Sequence, residues 1–433
     1  MPKPNFYWFL LGREPLLSLA ELKAALPWPA DWDKLIYAPP LLIAQGDFGT
    51  SDLIRRLGGT IKIGAEVGAN LSEQELIGAM VRELETVEGK INFGISAYGE
   101  FKGENLKVKV EEWGKQIKKQ LKEKNRSVRY VFNKEATLSS VTVSKNGLDK
   151  RGREFMVTQI TRIHGKDYTD SSYYAVAKTL AVQPFEEFSS RDYGRPGRDD
   201  ASGMLPPKLA MMMLNIAGLP PLLRGGSGGF AVDRAAKSII LLDPFCGSGT
   251  ILTEALLLGY KNLIGSDISE KAIEDTNKNV AWIQNTIHNT RKTIHNSSND
   301  INIFQSDVLG LFARIPAASI DVIVTEPYLG PPLRGNEVAS EIKKTCLELA
   351  ELYTNTFAQF KKFLKPKGTV VFIIPRFKSR DTWFTISDKI LPEIEKLGFR
   401  TERLLPVEFG RENYLLYHRP GQYVGREIWK FRF

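Results

Sequence analysis

Two periodicities alternate along the chain. Short apolar runs bounded by glycine, proline or charged residues predict buried strands. Between them, apolar positions recur at three- and four-residue spacing and predict helices packed by one face. Phe6–Leu11 is the first such run, and Pro15–Leu26 follows as an amphipathic helix. Leu41–Ala44 predicts a short strand, Ser51–Leu57 a helix stopped by Gly58 and Gly59, and Thr60–Gly64 another strand. Ser72–Glu85 predicts a helix opened by a capping box between Ser72 and Glu75. Elements alternating on this small scale predict a ferredoxin-like α+β domain over 1–88.

A second domain is expected over 89–185. It opens with the strand Ile91–Tyr98, followed by a helix over Leu106–Lys124 whose Val110, Trp113, Ile117 and Leu121 form one apolar stripe. Ser127–Phe132, Ser139–Val143 and Glu154–Ile160 predict strands, with Tyr130 and Phe132 as core rings. The polar face of the helix is basic: from Lys102 to Arg129 there are ten lysines and arginines against four acids. Such a face is often only solvated. It also suits phosphate contacts, and Lys102, Lys115, Lys118, Lys119, Lys122 and Arg126 are the candidates. Residues 186–236 read as a linker and a leading helix. Ser189–Asp200 is polar and glycine-rich, the helix over 203–217 carries Pro206 and Pro207 in its first turn, and Arg224–Gly229 is a glycine loop. Met211, Met212 and Met213 read as core.

The last domain, 237–433, is organised around one stretch. The run Ser238–Leu242 predicts a buried strand of a parallel sheet; it leads into Asp243-Pro244-Phe245-Cys246-Gly247-Ser248-Gly249-Thr250, and a helix to Leu258 with Gly259 as C-cap follows. In an open α/β sheet, ligands bind at the carboxyl ends of the strands. A nucleotide-triphosphate loop would need a lysine where Thr250 stands, and Leu252 breaks the dinucleotide fingerprint. Lys261–Ile268 predicts the next strand, ending at Asp267 about 20 residues past the glycine loop, the place from which an acid bonds ribose hydroxyls. Ser269 caps a helix through Ile283, and Asn285–Asp300, with its near-repeated Thr-Ile-His-Asn, reads as a surface insertion. Ile301–Asp307 is a third strand ending in an acid, which also suits a helix N-cap. Ile320–Thr325 is a fourth, running into Glu326-Pro327-Tyr328. Leu364–Gly368 reads as a turn before the strand Thr369–Ile374, and Ile386–Leu397 as a helix. Arg400–Glu408, Tyr414–His418 and Arg426–Phe433 predict an antiparallel closing hairpin.

Composition adds limits. A chain of 433 residues can bury a large core and divide into domains. No apolar run is long enough for a bilayer, and the first residues do not read as a secretory signal. Two cysteines exclude a disulfide framework and point to a reducing, cytoplasmic setting. The four histidines show no ligand spacing, so no metal is expected. A net charge of +9 favours an anionic partner.

The Asp-Pro-Phe-x-Gly-x-Gly-Thr form of 243–250 resembles the first motif of S-adenosylmethionine-dependent methyltransferases that act on exocyclic amines of bases. Such enzymes carry an oxygen acceptor, prolines and an aromatic ring after the fourth strand. Glu326-Pro327-Tyr328 falls there one proline short, unless Thr325 is the acceptor and Glu326 replaces a proline. With Arg191-Asp192, Arg195-Pro196, Asp199 and Gly203-Met204-Leu205-Pro206-Pro207-Lys208, the chain resembles THUMP-domain tRNA guanine-N2 methyltransferases of the archaeal guanosine-10 type. The resemblance implies a Rossmann-like methyltransferase domain behind an α+β half of ferredoxin-like and THUMP pieces. It implies S-adenosylmethionine held by Met204, Asp243, Phe245, Gly247, Ser248, Gly249, Thr250, Asp267, Ile268, Asp307 and Val308. It implies Glu326, Pro327 and Tyr328 as catalytic residues and tRNA as the partner, with a small activator subunit left open. An adenine or cytosine amino-methyltransferase and an inactive RNA-binding protein are the alternatives.

Overall fold

The computed structural model describes all residues except 1–5, 27–34, 47, 100, 102–104, 160–161, 164–165, 168–172, 199–203, 219–237, 291–299 and 381. The chain forms two compact units, Met1–Ser18 with Trp28–Glu187, and Leu19–Pro27 with Phe188–Phe433.

The first unit is built on one eight-stranded sheet. Its strands are β1 (Phe6–Leu11), β2 (Ile36–Ala38), β3 (Leu41–Gln45), β4 (Thr60–Leu71), β5 (Ile91–Tyr98), β6 (Val128–Val131), β7 (Arg153–Gln159) and, after a small hairpin of β8 (Arg162–Ile163) and β9 (Lys166–Asp167), β10 (Tyr174–Val182). The order β2-β3-β1-β4-β10-β7-β5-β6 runs without a break from the segment expected as ferredoxin-like into the segment expected as THUMP. Side chains alternate across it as the two-residue period requires. Phe155 and Val157 pack under the helices Glu73–Glu85 and Leu106–Glu123, while Met156 faces the opposite cluster with Trp8 and Leu10. The stripe Val110, Trp113, Ile117 and Leu121 is buried as its spacing predicts, and Ser72 closes its capping box with Glu75.

Several expectations for this half are corrected. Ser139–Val143 is not a strand: Ser140–Lys145 is a helix, because the Ser139 hydroxyl accepts the Thr142 N–H at 3.1 Å and only Val143 of the β-branched run is buried. The helix Pro15–Ala25, whose residues from Leu19 on belong to the second unit, is buried at each of Leu17–Leu22 and at Ala25 rather than along one amphipathic stripe. Phe132 is 65% exposed instead of core, whereas Tyr130 stacks on Phe93. Strand β10 lay unread in the sequence, its small alanines blurring the alternation.

In the second unit the strands are β11 (Ile240–Asp243), β12 (Asn262–Asp267), β13 (Asp300–Gln305), β14 (Ile320–Thr325), β15 (Leu364–Ser379), β16 (Thr382–Thr385), β17 (Arg400–Thr401), β18 (Leu415–Tyr417) and β19 (Val424–Arg432). The order β13-β12-β11-β14-β15-β19-β17 places the switch in strand order between β11 and β14, which are parallel. The pairs from β13 to β15 are parallel and β19 is antiparallel to β15. The 25-residue helix Ala339–Phe363 escaped the sequence reading, although Ile342, Cys346, Leu349, Tyr353, Phe357 and Phe360 keep a helical spacing into the core. The expected linker begins as a helix, Phe185–Tyr193, and the helix after Ser269 runs to Thr290 rather than Ile283. Leu364–Gly368 is the start of β15, not a turn, and Arg400–Glu408 yields only two strand residues. The glycine loop 224–229 and most of the Asn-rich insertion lie outside the described residues. Among the described residues no helix is long and apolar enough to cross a membrane.

The centre of the first sheet holds an ion pair. Lys62 Nζ on β4 donates to Glu154 Oε1 on β7 at 2.5 Å, and both side chains are buried. Ser96 and Thr179 donate to the same carboxylate at 2.6 and 2.8 Å, and Lys62 also donates to the Leu138 carbonyl at 2.8 Å. Removing one partner strands a buried charge. Lys62→Met is therefore expected to destabilise the chain by about 3–5 kcal/mol in urea unfolding, and Lys62→Met with Glu154→Leu to recover more than half of that loss.

Candidate active site

The carboxyl ends of the central strands β12, β11 and β14 open onto one cleft of about 540 Å³. Its floor is the stretch after β11. The Asp243 carboxylate is 1% exposed, and among the described residues no cation pairs with it. Its Oδ1 accepts the Thr325 hydroxyl at 2.7 Å and the Phe245 N–H at 3.3 Å. Burial pushes its pKa up to about 7; the two hydrogen bonds oppose this and the nearby Asp267 and Glu326 charges add to it.

The glycine turn is clamped from several sides. Cys246 N–H donates to the Ser266 carbonyl at 2.9 Å, and Gly247 N–H to Asp267 Oδ2 at 3.0 Å. From the helix Glu270–Thr290, Thr276 donates to the Gly247 carbonyl at 2.7 Å and Asn279 to the Ser248 carbonyl at 2.8 Å. Gly249 sits at φ +79°, and a Cβ there would lie 2.8 Å from Thr276 Cγ2, so both conformation and space require glycine. Asn279 also exchanges two 2.8 Å bonds with the Gly197 backbone, tying the segment before the leading helix to the loop. Arg195 donates to Thr250 Oγ1 at 2.6 Å, and Arg191 pairs with the buried Glu254 at 2.6 and 3.2 Å. Burial raises the Cys246 thiol well above its ordinary value, which leaves it inert as a nucleophile.

The second and third strands each end in an acid at the cleft. Asp267 Oδ1 accepts the Ser269 N–H at 2.9 Å, and Asp307 Oδ1 accepts the Leu309 N–H at 2.9 Å as an N-cap. Each carboxylate has lone pairs left for a ligand. Ile268, 68% exposed, and Val308 supply apolar lining beside them.

Opposite the loop, β14 delivers Glu326, Pro327 and Tyr328. Tyr328 is 58% exposed, and its carbonyl accepts the buried Tyr353 hydroxyl at 2.7 Å. Thr325, the alternative acceptor, is fully buried and committed to Asp243, which leaves Glu326 as the side chain facing the cleft. Glu326 Oε1 accepts from Arg426 Nε at 2.5 Å. Arg426 escaped the sequence reading: it lies a hundred residues downstream, and only the pairing of β19 beside β15 brings it there.

All but one of the sequence-read cofactor and catalytic residues line this cleft, Met204 included; Gly249 instead caps the helix Thr250–Leu258. The basic candidates belong to the first unit. Lys119 and Lys122 are exposed and Lys118 half-buried, Lys115 pairs with Glu111 at 2.8 Å, and Lys102 lies outside the described residues. Arg126 donates to the carbonyls of Glu85 and Val87 at the end of the helix Glu73–Glu85.

The reversed strand order, the clamped loop and the two strand-tip acids define a Rossmann-like methyltransferase fold behind an amino-terminal α/β unit. Residues 195–385 match the UPF0020 family model, described as RMKL-like, methyltransferase domain. The chain is 32% identical over 158 residues to a tRNA (guanine(10)-N2)-dimethyltransferase of Methanothermobacter thermautotrophicus, a match covering 36% of this chain and 37% of that protein. A second relative, from Methanothermococcus thermolithotrophicus, is 30% identical over 123 residues, 28% of this chain and 60% of its own length. The crystal structure of TrmN from Thermus thermophilus shares the fold over 99% of both chains at a TM-score of 0.51 and 17% identity.

Asp243 gives a pH signature. An unfolded aspartate titrates near 3.9. Because the folded chain holds this proton up to about 7, the folded state binds more protons than the unfolded one between those values, and rising pH destabilises it there. Asp243→Asn should therefore stabilise the ligand-free protein by roughly 2–4 kcal/mol more at pH 8 than at pH 4, read from urea midpoints. An equal change at both pH values would refute the burial account.

Proposed function

We propose that this chain methylates the exocyclic N2 amine of a guanosine in tRNA, with S-adenosylmethionine as methyl donor. The observation that carries it is the single cleft in which the clamped loop, the strand-tip acids and Glu326-Pro327-Tyr328 face one another. The donor set fits that cofactor: Asp267 accepts ribose hydroxyls, Asp307 accepts an adenine amino group, and Ile268 and Val308 offer apolar contact to its ring. The glycine loop lets the ligand approach the backbone closely. Bound there, S-adenosylmethionine supplies an electrophilic methyl group. An exocyclic amine is a weak nucleophile because its lone pair is delocalised into the ring. Glu326 accepts its N–H and so turns that lone pair toward the methyl group, and Tyr328 offers a ring on which a flipped-out base stacks. The names of the two sequence relatives support tRNA as substrate and guanosine-10 as the position.

The first unit is proposed as the RNA-holding part, in the manner of ferredoxin-like and THUMP pieces, with Lys115, Lys118, Lys119 and Lys122 as phosphate contacts. A cytoplasmic setting belongs to the same proposal and is supported by two free, buried thiols.

The test is to incubate the protein with unmodified tRNA and the cofactor and digest the product to nucleosides. N2-methylated guanosine is expected; methyladenosine or methylcytidine would sink the guanine reading. Glu326→Ala is expected to lower kcat by about 100-fold or more, as loss of a placed hydrogen-bond partner does. Asp267→Ala is expected to weaken cofactor binding in calorimetry by roughly 10- to 100-fold, since it loses the ribose contact and the Gly247 anchor together.

A further inference from the structure

Five carboxylates line the cleft, Asp243, Asp267, Asp275, Asp307 and Glu326, and among its described lining residues Arg426 is the one basic side chain. Its placement is selective. Arg426 Nε donates to Glu326 Oε1 at 2.5 Å, and each side chain is 14% exposed. Among the described residues neither makes another side-chain hydrogen bond, so the guanidinium serves this one carboxylate rather than the acidic cleft at large.

We propose that Arg426 is the positioning residue for Glu326: it holds the carboxylate in the orientation that receives the substrate amine. The inference rests on the reading of Glu326 as amine acceptor and adds the device that makes that acceptor usable. Glutamate carries one more rotor than aspartate, and a side chain left to rotate must be ordered when the base arrives, at a cost in side-chain entropy. A bond to Oε1 fixes the rotor in advance and leaves Oε2 for the amine N–H. The anchor is itself rigid. Arg426 is paired across β19 with Pro375 on β15 on one side and Tyr417 on β18 on the other, so its backbone is held along both edges. With water largely excluded, the pair keeps its geometry far better than an exposed ion pair would.

Charge favours the same arrangement. An uncompensated guanidinium at this end of the cleft would oppose a cationic methyl donor, and an uncompensated carboxylate would draw in water and cations. Paired, the two are neutral until the amine nitrogen becomes more positive on methylation, and the free carboxylate oxygen then lies beside it.

A double-mutant cycle on the full chain tests this. Arg426→Met should lower kcat roughly 10- to 100-fold while KM for tRNA and the cofactor dissociation constant from calorimetry stay within about twofold, the pattern of misplacement rather than lost binding. Arg426→Lys, which keeps a charge but not the planar fork, should restore part of the loss. In the Glu326→Ala background, Arg426→Met should cost no more than about twofold, because a residue that acts through Glu326 has nothing left to orient. Wild-type kcat in Arg426→Met, or the same fold-loss with and without Glu326, would overturn the proposal. Should Arg426→Met not fold, as thermal melting would reveal, the lysine variant carries the same cycle. The base is named from wild-type product in parallel: a methylated adenine or cytosine would overturn the guanosine reading, and the cycle run on that substrate would still decide the role of Arg426.

Discussion

A carboxylate buried at the end of a central strand, unpaired with any cation among the described residues, constrains the carboxyl end of the second unit's sheet. Asp243 can sit there only because Thr325 and the Phe245 amide both donate to it and because it keeps its proton up to about neutrality. That arrangement ties β14 to β11 at their carboxyl ends, beside the reversal in strand order, and so fixes where the loop after β11 and the motif after β14 can stand relative to each other. Thr325 cannot then serve a substrate, and the next side chain, Glu326, is the one turned to the cleft. A buried acid of this kind lowers stability above its unfolded pKa, a burden accepted at functional sites rather than in cores.

The remaining pieces follow from holding a flexible turn still. Gly247 and Gly249 adopt conformations that side chains resist, which makes the loop available to a ligand but leaves it entropically loose. Asp267, Thr276 and Asn279 take up its backbone groups, so the strand-tip acid braces the loop beside it. Asn279 extends the brace to Gly197, and Arg195 and Arg191 add bonds to Thr250 and Glu254. The residues read as a linker thus form a second wall behind the glycine loop.

Much of this was legible in the chain, and what was not has physical reasons. Strand, acid, glycine turn and helix lie next to one another in sequence, so 238–259 and the acids at 267 and 307 could be read locally. The stripe of Leu106–Glu123 was equally local. Arg426 could not be read, because its role depends on strand pairing a hundred residues from Glu326. The single sheet of the first unit was hidden for the same reason: β10, last in its chain order, pairs between β4 and β7 near the middle. Ser139–Val143 misled because β-branched residues suggest a strand when burial is unknown, and a serine cap decided otherwise. Ala339–Phe363 was missed although its spacing was present, its apolar positions thinly spread among charged ones.

The proposed reaction needs one cleft to hold the cofactor against one acceptor. The most direct measurement is a crystal structure of the full chain grown with S-adenosylhomocysteine, the demethylated cofactor. Its ribose hydroxyls are expected on Asp267, its adenine amino group on Asp307 between Ile268 and Val308, and its sulfur turned toward Glu326 and Tyr328, with the Arg426 bond to Glu326 intact. A ligand seated elsewhere, or one whose sulfur faces away from Glu326, would contradict it.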